Sequence, residues 1–304
     1  MKGWDMPEYA SHIGKTKTVS DILLPNRIDH LASTLRGLQT DRSPSALFHA
    51  AGSGAICPNG WPNGWHWCFF NEAPEADALG RDGHEAPGTF IPELPLKRRM
   101  WASGKLEFAA RPVAGKPAEK RTVIEAIEEK HGKTGPLIFV TLRHDVHQDG
   151  TVLVCETQTL VYREEASGQK KPAQQASIPP VSENTKPARE IRPDPVMLFR
   201  YSALTLNGHR IHYDADYARD VEGYGGIIFH APLTATLLMG LAAHHAPGAL
   251  RSFEFRALNT IEGLEPFSIG PTHHHEGGID LAATLPGGRV AMEARAVFAP
   301  GKTV

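Results

Sequence analysis

The sequence predicts an α+β chain built in two halves, each a curled antiparallel sheet around one helix. Three observations lead there. A Pro-rich, charge-rich stretch, residues 164–195, divides the 304-residue chain. Ahead of it run four strand-like segments separated by glycine turns. Behind it, one strongly apolar helical segment, residues 233–245, precedes three more strand-like segments. A helix laid on a curled antiparallel sheet is one of the few layer arrangements that bury both apolar faces.

The dividing stretch carries six prolines among Lys, Glu, Gln and Ser, and has almost nothing to bury. Such a segment does not offset its own ordering entropy, and its prolines stiffen it into a spacer. It reads as a linker between residues 1–163 and 196–304.

In the first half, residues 15–39 read as partly helical. Ser20 could cap a helix that Pro25 interrupts. A new start near Arg27 places Ile28, Leu31, Leu35 and Leu38 on one face. Residues 52–95, rich in Gly, Pro, Trp and Asn, read mostly as loop. Residues 105–111, 121–130, 136–145 and 151–162 alternate or are β-branched, which predicts an antiparallel meander. In the second half, residues 200–206 read as a strand running into a polar turn and a short helix near Asp214. Residues 225–230 read as an apolar strand. Pro232 opens the long helix, and Pro247-Gly248 lies past its end. Residues 252–259, 278–285 and 289–298 read as strands, with a hairpin turn at Pro286-Gly287-Gly288. His273-His274-His275 reads as a polar loop. A bare triplet lacks the spaced, converging ligands that zinc prefers.

Composition narrows the function classes. The chain is 41% hydrophobic and 22% charged, with a net charge of −2. That balance gives no reason to expect nucleic acid or an anionic membrane as partner. No run approaches the ~20 apolar residues of a membrane span, and residues 1–10 show no signal-peptide pattern. Cys57, Cys68 and Cys155 form neither a Cys-x-x-Cys pair nor a disulfide framework. They read as reduced thiols, so a cytoplasmic location is expected.

Two segments carry candidate chemistry. In RYSALTLNGHRIHYDADYA, residues 200–218, Asn207, His209, Arg210, His212 and Asp214 fall within eight positions. Adding water across a conjugated thioester needs a base for the water, an acid for the α-carbon and a holder for the enolate oxygen. Histidine suits proton transfer near neutrality, and an amide could hold the water. The same residues would also serve as a polar turn whose histidines cap a helix. In GGIIFHAPLTA, residues 225–235, an apolar segment enters a helix at His230-Ala231-Pro232. The Ala231 N–H could face a developing oxyanion, or the segment could be an ordinary connection. A third cluster, Lys97-Arg98-Arg99 beside Trp101, suits phosphate or carboxylate, or is a solvated charge run.

YSALTLNGHRIHYDADYA resembles the hydratase motif of the MaoC-type, R-specific enoyl-CoA hydratase family, with His212 on that family's His. Asn207 stands where the broad family has Asp. GWHWCFF, DGHEAPGTFIPELPLKRRMWASG, KHGKTGPLIFV and HAPLTATLL resemble the fungal-type hydroxyacyl-thioester dehydratases and the bacterial mesaconyl-C4-CoA and itaconyl-CoA hydratases, a subfamily in which Asn at that position is the pattern. The subfamily usually has Gly where this chain has Ala231. The resemblance covers about residues 4–297. It implies a double hot-dog fold, an acyl-CoA or acyl-carrier thioester as substrate, no metal or redox cofactor, and room for a homodimer. It implies His212, Asn207 and the Ala231 N–H as the catalytic set. Arg98, Arg99, Trp101, His209, Arg210 and His230 are expected among the substrate-binding residues. The expected reaction is hydration of a 2-enoyl-CoA, with a branched C5 dicarboxylic acyl group of the mesaconyl or itaconyl type, giving citramalyl-CoA. Its alternatives are dehydration of 3-hydroxyacyl thioesters in fatty-acid synthesis, non-catalytic acyl-CoA binding, and a thioesterase using Asp214 or Asp216.

Overall fold

A computed structural model describes residues 9–38, 61–132, 135–164, 189–245 and 249–299. Among the described residues, ten strands form one antiparallel sheet in the order β1-β3-β4-β5-β2-β7-β10-β9-β8-β6. The first half supplies β1 (Thr16–Ile22), β2 (Arg98–Phe108), β3 (Pro117–Gly132), β4 (Gly135–Gln148) and β5 (Thr151–Arg163). The second supplies β6 (Arg189–Ile191), β7 (Leu250–Ala257), β8 (Phe267–His275), β9 (Gly278–Thr284) and β10 (Val290–Phe298). The halves meet where β2 pairs with β7, Gly104 opposite Phe255 and Leu106 opposite Phe253.

Helix α1 (Pro25–Gly37) begins with proline at its first turn and buries Ile28, Leu31 and Leu35. Helix α2 (Pro195–Leu204) is capped by Asp194, whose carboxylate accepts the Val196 and Met197 N–H groups. Helix α3 (Ala231–His245) buries Leu233, Leu237, Leu238, Met239 and Leu241. It is apolar all round, as a helix enclosed by its own sheet must be, and it touches β7, β8, β9 and β10. Helix α1 sits differently. It packs on α2 and on the Trp65–Cys68 turn, which leaves part of the inner face of β3, β4 and β5 open to a cavity. The fold is the predicted α+β double hot-dog.

Several local expectations are corrected. Residues 16–22 pair with β3 as a strand rather than starting a helix at Ser20. Residues 195–204 are helical, where a strand was expected from residue 200. The run VMLFRYSAL is apolar enough for either, and the Asp194-Pro195 start decides for helix. Residues 225–230 hold one isolated bridge, Ile228 to Glu262, instead of a strand. His273-His274-His275 ends β8 rather than lying in a loop, and β8 had no counterpart in the sequence reading. Of the proposed linker, residues 165–188 lie outside the described residues, as do Cys57 and the Pro247-Gly248 helix stop. Arg189–Ile191, also within that stretch, is strand β6 on β8. No helix among the described residues is long and apolar enough to cross a membrane.

Candidate active site

A cavity of about 580 Å³ gathers most of the candidate residues. The inner face of the first-half sheet lines one side, and the turn after α2 with the start of α3 lines the other. His212, Asn207, Ala231, His209, Arg99 and Trp101 all border it. Six of the nine expected site residues are therefore brought to one space from three separate stretches of chain.

His212 lies in a short 3₁₀ turn, Arg210–His212. Its Nδ1 sits 2.7 Å from the Ile228 carbonyl oxygen. Nδ1 must carry the proton and donate it there, because a carbonyl only accepts. Nε2 is then an unprotonated base. Burial pushes the His212 pKa down to about 4, partly offset by the Ile228 hydrogen bond. The ring is neutral at pH 7.

Asn207 follows Leu206, a non-glycine residue with φ of 47°. That left-handed step ends α2 and turns Asn207 toward the cavity. Its Oδ1 accepts the His209 N–H at 3.0 Å, and its own N–H donates to the Ser202 carbonyl at 2.8 Å. Its side chain also lies beside His84, close enough to influence that ring. The amide is thus fixed from two sides rather than free to swing.

Ala231 is the first residue of α3 and borders the cavity. A fifteen-residue helix places its positive end and unpaired N–H groups there. His230, expected to bind substrate, is fully buried and does not border the cavity. It stacks on His212 with ring centres 3.7 Å apart, and its Nε2 meets Ser202 Oγ at 2.9 Å. Burial first, then the neighbouring His212 and His209, hold its pKa well below the usual value. Its place is against the His212 ring, on which it packs flat.

The two remaining cationic candidates are committed elsewhere. Arg98 pairs with buried Glu222 at 2.9 Å and lies 4.9 Å from the Tyr224 ring centre. Arg210 pairs with Asp214 at 2.7 Å and lies over Tyr217. Asp214 also accepts the Tyr217 N–H at 3.0 Å. Neither Arg98, Arg210 nor Asp214 borders the cavity. Successive strand residues alternate faces, so only one of two neighbouring arginines could face inward, and it is Arg99.

Two groups of site residues escaped the sequence reading. The first is Asp82 and His84, on a loop that crosses from the first half to the Asn207–His212 turn. Asp82 Oδ2 meets His84 Nδ1 at 3.2 Å, and the His84 ring lies 4.5 Å from the His209 ring. The second is a polar floor on β3, β4 and β5. There His66 meets Glu156 at 2.9 Å, Trp67 donates to Glu156, and His144 bridges Thr122 and Gln158 at 2.9 and 3.1 Å. Lys120 borders the same space. Burial opposes charge on Glu156, but the hydrogen bonds from His66 and Trp67 hold its pKa below the usual value. DGHEAP and GWHWCFF contained the loop and turn residues, but no spacing in sequence links them to partners some ninety residues on or farther.

The loop is clamped in place by two glycines. A Cβ on Gly208 would lie 2.4 Å from the Gly83 carbonyl oxygen, and one on Gly83 2.1 Å from the Gly208 oxygen. The Arg210 N–H donates to the Asp82 carbonyl at 2.8 Å. Gly208→Ala is therefore expected to push the loop off the turn. A destabilisation of about 1–3 kcal/mol, as for an overpacked site, should show as a lower Tm. An unchanged Tm would show that the backbones part without cost.

Asp82, His84 and His209 place one donor atom each within 4.8 Å of one another. A carboxylate and two imidazoles are donors that zinc takes. In this arrangement, however, the Asp82 carboxylate is hydrogen bonded to both the N–H and the ring of His84.

A family model described as hydroxyacyl-thioester dehydratase type 2 matches residues 64–262. The chain is 36% identical over 287 residues to the mesaconyl-C(4)-CoA hydratase of Chloroflexus aurantiacus, covering 94% of this chain and 96% of that protein. It is 29% identical over 236 residues to the mitochondrial hydroxyacyl-thioester dehydratase type 2 of Schizosaccharomyces pombe, covering 68% and 76%. A MaoC-like dehydratase from Phytophthora capsici has the same fold, with a TM-score of 0.68 at 12% identity, covering 97% and 98%.

Proposed function

Because this chain belongs to the hydroxyacyl-thioester dehydratase type 2 family and is a hydro-lyase, we propose that it hydrates a 2-enoyl-CoA bearing a short, carboxylate-carrying acyl group of the mesaconyl-C4 or itaconyl type, forming citramalyl-CoA. The observation that carries the reading is the neutral His212, its Nδ1 committed to Ile228 and its Nε2 left as a base, in one cavity with Asn207 and the first turn of α3.

The steps follow from that arrangement. Water held beside the Asn207 amide gives a proton to His212 Nε2 as its oxygen bonds to the β-carbon. The π electrons move onto the thioester oxygen, which the Ala231 N–H receives. When the carbonyl re-forms, the α-carbon takes the proton back from His212. One water is added and the imidazole ends neutral. Asn207 does not take up a proton near neutrality, and Asp214 is held by Arg210 outside the cavity, so His212 serves both proton transfers.

Arg99 is the cation for the acyl carboxylate. It borders the cavity beside His84 and His209, close to where a substituent on the β-carbon would lie. The polar floor of His66, Glu156, His144 and Lys120 supports a short polar acyl group over an aliphatic one, since buried polar groups left facing methylenes lose their hydration without a replacement.

Purified protein assayed with mesaconyl-C4-CoA and crotonyl-CoA tests the reading. Loss of the enoyl absorbance with both, and faster with the former, is expected. Arg99→Gln should raise KM for mesaconyl-C4-CoA by about 10- to 100-fold, as one charge-assisted contact of about 1.5–3 kcal/mol predicts. It should matter far less for crotonyl-CoA, which lacks the carboxylate. Equal effects on both would assign Arg99 to the CoA portion instead. Turnover only of long-chain 3-hydroxyacyl thioesters would favour the dehydratase reading, which uses the same residues in reverse.

A further inference from the structure

We propose that Asp82 and His84, reaching the site from the other half of the chain, are positioning residues for the reaction: His84 fixes the Asn207 amide, and Asp82 supplies the negative charge that balances the imidazolium formed at His212. The proposal rests on the hydratase reading above and adds to it a charge-balancing pair.

The need for such a pair comes from the site itself. Proton uptake by His212 creates a cation in a buried place. Its immediate neighbours are two more imidazoles, His230 at 3.7 Å and His209 at 5.6 Å between ring centres, and the Ile228 carbonyl. Arg99 adds a fixed positive charge near His84 and His209. Asn207 brings no charge. A buried cation without an anion is costly.

Asp82 is a carboxylate joined to this group of rings, through its hydrogen bonds to His84 and the nearby charge of His209. Burial opposes its charge, yet the hydrogen bonds and charge of His84 and the nearby His209 hold its pKa well below the usual value, so it is ionised. It accepts from His84 twice, from the N–H at 3.1 Å and from the ring at 3.2 Å. His84 therefore carries its proton on Nδ1 and turns Nε2 away from Asp82. Burial first, then Arg99, bring the His84 pKa down to about 4 against the pull of Asp82, so the ring is neutral and passes the influence of the carboxylate onward through its dipole. From Asp82 the rings run in order: His84, then His209 at 4.5 Å, then His212 at 5.6 Å.

The backbone shows that this placement is built. The loop closes on itself through Gly80 N–H to His84 O at 2.7 Å and Ala86 N–H to Ala78 O at 2.9 Å. Gly83, at φ +87°, meets Gly208 with no room for a side chain on either. The Arg210 guanidinium and N–H hold the Arg81 and Asp82 carbonyls. These contacts fix Asp82 and His84 relative to Asn207 and His212, across an interval of more than a hundred residues.

The test uses the full chain with Asp82→Asn and Asp82→Glu. Steady-state kinetics on an enoyl-CoA are combined with an NMR titration of the histidine rings. For Asp82→Asn, kcat is expected to fall about 10- to 100-fold, the loss usual when a partner orienting an imidazole is removed, with KM nearly unchanged. The His84 ring pKa should fall by about one unit or more, the effect of losing an adjacent opposite charge. Asp82→Glu should recover much of kcat. Wild-type kcat in Asp82→Asn, or a rise in KM alone, would overturn the proposal. So would activity lost to EDTA and restored by zinc, which would make Asp82, His84 and His209 metal ligands. If the wild-type protein hydrates no enoyl-CoA, the hydratase reading has failed; the titration then decides by itself, and an unmoved His84 pKa in Asp82→Asn would overturn the charge argument.

Discussion

Replacing His212 by alanine is expected to lower kcat about 10²- to 10⁴-fold, the usual loss when a general acid/base is removed. KM should change little, because the role proposed for His212 is at the water and the α-carbon rather than at the CoA portion. The pH profile gives an independent check. The His212 pKa lies near 4, displaced from 6.5 chiefly by burial, so the free base persists as pH is lowered through 6.5. The acid limb of kcat/KM should therefore lie well below that of an exposed histidine. Stability moves in the same window. The unfolded chain takes up the His212 proton near its ordinary pKa and the folded chain only near 4, so the unfolded state binds more protons between these values. The stability contributed by His212 is present above about 6.5 and declines as pH falls toward 4. The acid limb is to be read where circular dichroism shows the fold intact. A His212→Ala protein with near-native turnover would remove His212 from the chemistry and make His209 the next candidate.

Ala231→Pro should have the second-largest effect. Proline removes the N–H assigned to the enolate oxygen and leaves the rest of the peptide in place. Its fixed φ suits the first turn of a helix, and Ala231 is the first residue of α3. A loss of about 10²- to 10³-fold in kcat is expected, the range seen when one oxyanion donor is deleted. Ala231→Gly keeps the N–H and serves as the control, with activity close to that of the parent chain. Proline also restricts the residue before it, and that residue is His230, which supports His212. The His230 to Ser202 contact, 2.9 Å in the parent, must therefore be verified by ring NMR in the variant. Unchanged kcat with that contact intact would show that another donor receives the oxyanion.

Much of the fold was legible in the residues. The hairpins of β3, β4 and β5 were marked by alternation and by glycine turns, because strand periodicity is local, whereas β2 pairs with β5 and β7 rather than with β3 as a simple meander would have it. Helix α3 was marked by an apolar run opened by Pro232. What failed were segments whose apolar runs suit either state. Residues 195–204 became a helix because Asp194 caps the first turn, while residues 16–22 became a strand because the edge of β3 was there to pair with. Strand β8 includes Gly270, Pro271 and three histidines, none a strong strand former, and pairs with both β6 and β9.

The site divides along the same physical line. The sequence by itself determined that Asn207 and His212 flank one turn and that a helix opens at Pro232, just after Ala231, since these are neighbours along the chain. Only the tertiary structure decided which candidates share a space. Arg99 faces the cavity while Arg98 is held by Glu222; the partner 124 positions away is not visible in the sequence. Likewise His230 stacks on His212 away from the cavity lining, Arg210 holds the Arg81 and Asp82 carbonyls, and Asp82 and His84 arrive from the other half of the chain. A titratable side chain's role depends on which groups lie within a few ångströms of it. For these residues the groups are brought near by the pairing of β2 with β7 and by the close contact of Gly83 with Gly208.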